Sequence, residues 1–247
     1  MAYTTIDDPS AHFQTALYTG NAGTLAVTND GNSNLQPDWV WTKKRDDTSH
    51  HALVDSSRGV TKQIYTNLTA AEETVSGVTA FNTDGFTLGS NGTANANGSS
   101  YVGWQWKVNG GTTSNLSGNL ASVAQINATA GFSIVTYTGS GGNGQSVNHG
   151  LGLVPAVVIT KARNAADDWI MYHKSIGTAN FLKLNTVAAK AGSSPYAAAD
   201  PNSTAFFVSN NLIFVGELGA NFISYVFAPI QGYSMFSSYT GNGGATA

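Results

Sequence analysis

Short runs rich in Val, Ile, Phe, Tyr and Thr alternate along the chain with clusters of Gly, Asn, Ser and Asp. Such runs favour β-strands, and the glycine-rich clusters favour turns. Helical spacing of apolar residues occurs only in the short segments 69–76 and 187–191. In the second half of the chain the pattern predicts seven strands, at residues 132–138, 156–162, 169–174, 181–185, 205–209, 221–228 and 233–239. The chain is therefore predicted to be all-β, an antiparallel sandwich or jelly roll.

The tripeptide Tyr-Thr-Gly occurs three times, at residues 18–20, 137–139 and 239–241. The first two tyrosines lie 119 residues apart (18 to 137), and the third follows 102 residues later (137 to 239). A pattern that recurs at a long, nearly fixed spacing indicates an internal structural repeat. The third occurrence predicts a closing strand for the second repeat.

Other segments keep the same order between the first two occurrences. Residues 37–45 align with 155–163 at an offset of 118, and residues 101–106 align with 222–227 at an offset of 121. The same alignment matches polar positions and glycines: Ser57 with Ser175, Gly59 with Gly177 and Asn67 with Asn185. Because the offset drifts so little, the chain is predicted to contain two copies of one strand pattern.

These matches divide the chain into three parts. A first β-repeat domain is predicted at residues 1–106, a connector at 107–130 and a second β-repeat domain at 131–247. Two arrangements stay open at this point, namely two separate sandwiches in tandem or two halves of one larger sandwich. We favour the tandem arrangement.

Four tryptophans occur as alternating pairs, Trp39 with Trp41 and Trp104 with Trp106. Alternation along a strand places both rings of a pair on one face of the sheet. Paired aromatic rings can stack on sugars, but the repeat counterparts of these tryptophans are all apolar or aromatic: Val157, Ile159, Tyr225 and Phe227. The tryptophan pairs are therefore predicted to face a core.

Three other aromatic residues are less constrained by the repeat. Trp169 aligns with His51, so its ring is free to lie on the surface. Together with Tyr172 and Tyr196, it is the candidate for a surface ligand contact in a carbohydrate-binding module. These residues are the only site residues that the sequence suggests.

Charged residues make up only 10% of the chain, against about 25% in ordinary domains. The net charge of −3 and the absence of a sustained basic cluster argue against nucleic-acid binding. There is no cysteine, and hence no disulfide, thiolate chemistry or thiol metal ligand. The sequence also suggests no membrane span and no signal peptide.

No arrangement of residues points to catalysis. The adjacent His50 and His51 are expected to point to opposite faces of a strand, which does not suit chelation of one metal. Adjacent aspartates occur at residues 7–8, 46–47 and 167–168, where they read as turn formers rather than as a glycosidase pair. Residues 30–34 carry oxygen ligands at alternate positions but lack the distal glutamate of a calcium loop, so bound calcium stays open. We predict a non-enzymatic protein with no cofactor and no catalytic or metal residue.

Several ordered segments resemble virion-surface and tail-fibre-like structural proteins of tailed phages that infect marine bacteria. The resemblance covers nearly the whole chain and lies in residues 1–10, the Tyr-Thr-Gly segments, 36–41, 55–62, 83–89, 101–107 and 149–155. It implies repeated β-domains and location on the virion surface, and it supplies no catalytic residues for this chain. Because the sequence suggests no signal peptide, we expect a chain made in the host cytoplasm to be released by lysis.

The resemblance also implies the partners of the chain. A tail-fibre or tail-associated protein contacts other virion proteins, forms homo-oligomers and in some cases contacts a glycan or receptor on the host surface. A capsid decoration or head-fibre protein is the alternative within the virion, and a carbohydrate-binding module is the alternative outside it.

Overall fold

A computed structural model describes residues 4–209 and 215–242 of the chain. The described residues form antiparallel sheets joined by turns, with one four-residue α-helix, α1 (Gly92–Asn95), and two single-turn 3-10 helices, Pro9–Ala11 and Lys174–Ile176. The prediction of an all-β, antiparallel sandwich is confirmed. None of these helices is long and apolar enough to cross a membrane.

The first copy of the pattern, called repeat 1, contains one large and one small sheet. Its strands are β1 (Phe13–Thr19), β2 (Leu25–Val27), β3 (Trp39–Lys44), β4 (Ala52–Asp55), β5 (Lys62–Tyr65), β6 (Glu73–Thr74), β7 (Val78–Phe81), β8 (Phe86–Leu88) and β9 (Ser100–Trp106). The large sheet has the order β1-β9-β3-β4-β5-β6, and the small sheet has the order β2-β8-β7.

The second copy, repeat 2, has the same plan. Its strands are β10 (Ser114–Leu116), β11 (Ser122–Asn127), β12 (Phe132–Thr138), β13 (Gln145–Asn148), β14 (Val157–Ala162), β15 (Ile170–His173), β16 (Leu182–Lys183), β17 (Ala205–Val208) and β18 (Asn221–Phe227). The large sheet has the order β10-β11-β12-β18-β14-β15-β16, and β13 pairs with β17 in the small sheet.

Strand register agrees between the two repeats residue by residue. Trp39 lies opposite Trp106 where β3 meets β9, and Val157 lies opposite Phe227 where β14 meets β18. These partners are the ones that the sequence offsets match. The repeated sequence therefore encodes a repeated topology with one register.

Three hydrophobic cores hold the sheets together. One core lies between the large and small sheets of repeat 1, and a second lies between those of repeat 2. The third, which we call the interface core, contains residues from the outer faces of both large sheets. The sheets are thus layered in the order small, large, large, small.

Alternation along the strands divides side chains between these cores. In β3, Trp39 belongs to the interface core, whereas Val40 faces the small sheet of its own repeat. In β14, Val157 and Val158 divide in the same way. The prediction that Trp39 faces a core is confirmed, and that core is the one between the repeats.

The Tyr-Thr-Gly motif lies at the end of two equivalent strands, β1 and β12. The Tyr18 hydroxyl donates to the carbonyl of Ala94 at 2.8 Å, and the Tyr137 hydroxyl donates to the carbonyl of Val215 at 2.7 Å. In the third occurrence Tyr239 is 95% exposed, and no strand covers residues 233–239. The predicted closing strand is wrong, because β12 already fills that place beside β18.

Several short elements in the structure differ from those that the sequence predicts. Residues 107–130, predicted as a connector, contain the β10–β11 hairpin, which extends the large sheet of repeat 2. The two possible helices at 69–76 and 187–191 are absent, and part of the first is strand β6. Strand β13 directly follows a glycine-rich turn, and it is not among the strands that the sequence pattern predicts.

Replacement of Trp39 by Ala should lower the free energy of unfolding by about 3–5 kcal/mol, because it removes a buried indole ring from the interface core. Leu218→Ala is the matched control, since Leu218 is 75% exposed and its loss should change stability by no more than about 0.5 kcal/mol. Urea unfolding followed by circular dichroism measures both values. If both variants unfolded at the same urea concentration, Trp39 would not stabilise the fold as expected.

Candidate functional site

A contact that recurs in both repeats is best explained as part of the repeated fold, whereas a functional group is expected in only one repeat. Lys161 is fully buried, and its burial lowers the pKa of the ammonium to about 8, the kind of value that suits a reactive lysine. Its Nζ donates to the carbonyls of Ala162 and Ala165, and Lys43 donates in the same way to Lys44 and Asp47. Because both repeats use the lysine to close the same loop, we assign Lys161 a structural role.

An unrepeated ion-pair network joins the two repeats. The Arg58 side chain is fully buried, and its guanidinium lies 2.5 Å from Asp55 Oδ2 and 3.2 Å from Glu72 Oε2. Arg163 of repeat 2 contacts both carboxylate oxygens of Glu72, at 3.0 and 3.1 Å. The Tyr225 hydroxyl, also from repeat 2, donates to Asp55 at 2.7 Å. Burial alone would raise the pKa of Glu72, but the hydrogen bonds from Arg163 and the charge of Arg58 hold it below its usual value.

Trp169 provides a second contact between the repeats. Its backbone N–H donates to Asn185 Oδ1 at 2.9 Å, as that of His51 donates to Asn67 at 3.0 Å. Its indole N–H, however, donates to the carbonyl of Tyr65 in repeat 1 at 2.8 Å. The ring is fully buried in the interface core. The repeat fixes the backbone here, whereas the side chain serves the contact between repeats.

The three candidate ligand-contact residues do not form an exposed platform. Trp169, Tyr172 and Tyr196 are 0%, 6% and 1% exposed. The Tyr196 hydroxyl donates to Thr160 Oγ1 at 2.8 Å inside the core of repeat 2. Tyr172 alone borders a surface depression, beside Lys174 and Asp200. The expectation of surface aromatic rings at these positions is therefore corrected.

The aspartate candidates lie outside the strands and bond to groups of their own repeat. Asp8 accepts from Ser10, Asp47 pairs with Lys44 at 2.9 Å, and Asp168 pairs with Lys183 at 2.7 Å. Within residues 4–209 and 215–242, no group of three or more His, Asp or Glu side chains is placed to hold a metal ion.

An aromatic cavity opens where the two large sheets meet. This aromatic cleft encloses about 490 Å³ and is lined by apolar side chains from both repeats: Phe13, Trp39, Trp41, Trp106, Ala130, Phe132, Ile159 and Phe227. The ring centroids of Trp39 and Trp106 lie 4.4 Å apart, and those of Phe132 and Phe227 lie 4.6 Å apart. A concave, largely apolar cavity of this size is typical of ligand sites.

The segment after β18 forms one side of the aromatic cleft. It contributes Tyr233, Ser234, Met235 and Phe236. Phe236 lies 5.9 Å from Phe227, and Tyr233 lies 5.9 Å from His12, measured between ring centroids. Met235 is 82% exposed at the rim. Residues 107–113, which follow β9 in repeat 1, contain no aromatic residue, so repeat 1 provides no equivalent of this side of the cleft.

Sequence reasoning identified the tryptophans of the aromatic cleft but not their partners. Phe13 and Phe236 lie far apart in the chain, and no feature of the sequence indicates that the packed sheets bring them to one cavity. The sequence contains one weak indication of the ion-pair network. In the alignment of the two repeats Arg58 matches Ile176, and a charged residue matched to an apolar one is unusual in a chain with so few charges.

Replacement of Arg58 by Ala should destabilise the fold by about 3–5 kcal/mol, because it leaves Asp55 buried without its cationic partner. Lys44→Ala removes the more exposed pair with Asp47 and should cost much less, because solvent screens that pair. The free energies of unfolding in urea provide the comparison. A loss for Arg58→Ala no greater than that for Lys44→Ala would refute a structural role for the network.

Comparison with known proteins places the chain in a family but attaches no activity to it. No curated protein and no solved structure is detectably similar to it. One family model, described as a domain of unknown function (DUF7483), matches residues 8–247 and so spans both repeats and the aromatic cleft. The chain belongs to this DUF7483 family.

Proposed function

We propose that this protein is a non-enzymatic structural component of a phage particle, exposed on the tail or tail fibre and able to contact the host surface. The observation that carries the non-enzymatic part of this proposal is that the buried charges are bonded within the protein. The described Asp, Glu, Lys, Arg and His side chains that are buried are Asp38, Asp55, Arg58, His149 and Lys161. Each is hydrogen-bonded within the protein.

Buried ionisable groups in an enzyme are commonly kept reactive and aimed into a cleft. Here they stabilise loops and the contact between repeats. Asp38 accepts from the backbone N–H groups of Val108 and Gly110, at 2.7 and 3.0 Å, and so holds the chain as it leaves repeat 1. The aromatic cleft is lined almost wholly by apolar side chains and contains no carboxylate, lysine or histidine. These features support a structural rather than a catalytic role.

The virion location is supported by the resemblance of the sequence to phage surface proteins and by its composition. A low fraction of charge and tandem β-repeats suit a protein that assembles with neighbours in a particle. Other virion proteins and further copies of the chain are the proposed partners. A capsid decoration or head-fibre protein has the same physical requirements and is the alternative position within the virion.

Antibody against the purified chain should label phage particles isolated from a lysate of the source culture. Gold label at the tail is the expected result of electron microscopy, because the proposed protein is exposed there. Label at the head would assign it to the capsid instead. Particles without label, when antibody against a known coat protein labels them, would refute the proposal.

Carbohydrate binding is a second candidate function, and the aromatic cleft is the observation that favours it. Aromatic rings pack well against the C–H faces of pyranose rings, and three tryptophans line the cleft. The proposed ligand position therefore moves from Trp169, Tyr172 and Tyr196 to the cleft.

Titration with oligosaccharides from the host surface should change the tryptophan fluorescence of the wild-type protein, because bound sugar would exclude water from the cleft. Phe236→Ala removes a ring from one wall and should weaken the apparent affinity about tenfold, whereas Leu218→Ala, at an exposed loop residue, should leave it unchanged. An unchanged spectrum at saturating oligosaccharide would eliminate this second function.

A further inference from the structure

The outer strands of the two large sheets differ in how well they are protected. Strands β6 and β16 contain two residues each, and β10 contains three. Short edge strands resist pairing with other chains. Strand β1 is also an edge strand, but it has seven residues, Phe13–Thr19, without a charge or a proline.

Strand β1 pairs on only one side. Its seven residues face β9, from Phe13 opposite Trp106 to Thr19 opposite Ser100. On its other side no strand of the described chain pairs with it. An edge strand of this kind presents a row of backbone N–H and C=O groups that is open to another strand.

Repeat 2 provides the same strand with its outer side covered. Strand β12 is the counterpart of β1, and β11 pairs with it antiparallel, from Ser122 opposite Tyr137 to Asn127 opposite Phe132. This position in the fold therefore accepts an added antiparallel strand without disturbing the sandwich. In repeat 1 no strand from residues 4–209 or 215–242 occupies this position.

We infer that β1 pairs with β1 of a second copy of this chain, in antiparallel register about a two-fold axis at Ala16. The axis places Thr15 of each copy opposite Leu17 of the other, and Phe13 opposite Thr19. Because β1 carries no charge, a strand facing its own copy meets no like-charge repulsion. Leu17, which is 66% exposed in the single chain, gains Thr15 of the second copy as its opposite neighbour and Phe13 and Leu17 of that copy as diagonal neighbours.

A second β1 fits this edge better than the other outer strands of the chain. Strands β6, β10 and β16 offer only two or three residues to a partner, and pairing with any of them would leave one β1 edge open. Self-pairing closes both open edges at once and gives a closed two-fold dimer. The inference goes beyond the proposed function and stands whether or not the chain belongs to a virion.

The mass of the full chain in solution tests this dimer. Sedimentation equilibrium over a range of concentrations should approach the mass of two 25.7-kDa chains. Thr15→Lys and Leu17→Lys should weaken the association at least about tenfold, because the two-fold axis places each new charge near its own copy. Leu218→Lys, which also replaces an exposed leucine, should dimerise like the wild type.

A wild-type chain that stays monomeric at the highest concentration would overturn the inference. So would a dimer that both lysine variants at residues 15 and 17 leave intact, because the contact would then lie elsewhere. Circular dichroism of each variant checks that the fold is retained, which is expected because both side chains are exposed.

Cysteine cross-linking tests the register. The chain contains no cysteine, so the double variant Thr15→Cys, Leu17→Cys introduces the only thiols. Directly opposite residues of an antiparallel pair lie within disulfide range. Mild oxidation should convert most of this variant to a covalent dimer on a non-reducing gel, whereas Leu218→Cys should give little. Equal yields from the two would overturn the pairing at β1.

Discussion

Trp39 lies where the outer faces of the two large sheets meet, and the packing of those faces governs the whole architecture. Each repeat buries one face of its large sheet against its own small sheet, but the opposite face is also apolar. That second face carries tryptophans in repeat 1 and Val, Ile, Phe and Tyr in repeat 2. Left exposed, it would form a large apolar patch in water. The interface core buries it and makes the two repeats one molecule.

The ion-pair network favours one orientation of the two large sheets relative to each other. Apolar contact alone is weakly directional, whereas Arg163 must meet both oxygens of Glu72, and Tyr225 must reach Asp55. Burial of these charges carries a desolvation cost that mutual attraction offsets only when the geometry is good. The network therefore favours one alignment of the two sheets. The aromatic cleft follows from that alignment, since it lies where the interface core ends.

The repeats differ most at the surfaces where they contact each other or a proposed partner. Loop-closing lysines, the tyrosines of Tyr-Thr-Gly and the strand registers recur in both copies, so they belong to the repeated fold. The ion-pair network, the indole of Trp169, the segment at residues 233–236 and the cover over β12 occur once. Comparison of the two copies thus separates residues that maintain a repeat from residues that join the repeats or contact a partner.

Most strands, the two copies and their shared register could be predicted from the amino-acid sequence, because turn residues and period-two alternation are local properties. The hairpin of β10 and β11, strand β13 and the absence of a strand at 233–239 could not. The sequence also placed Trp39 and Trp41 in a core, through their apolar counterparts Val157 and Ile159. The packing of the sheets sets which core this is, and it buries Trp169, Tyr172 and Tyr196. Alternation tells which residues share a face, but not what covers that face. The aromatic cleft and the ion-pair network depend on residues far apart in sequence, whose approach is fixed only when the two sheets pack.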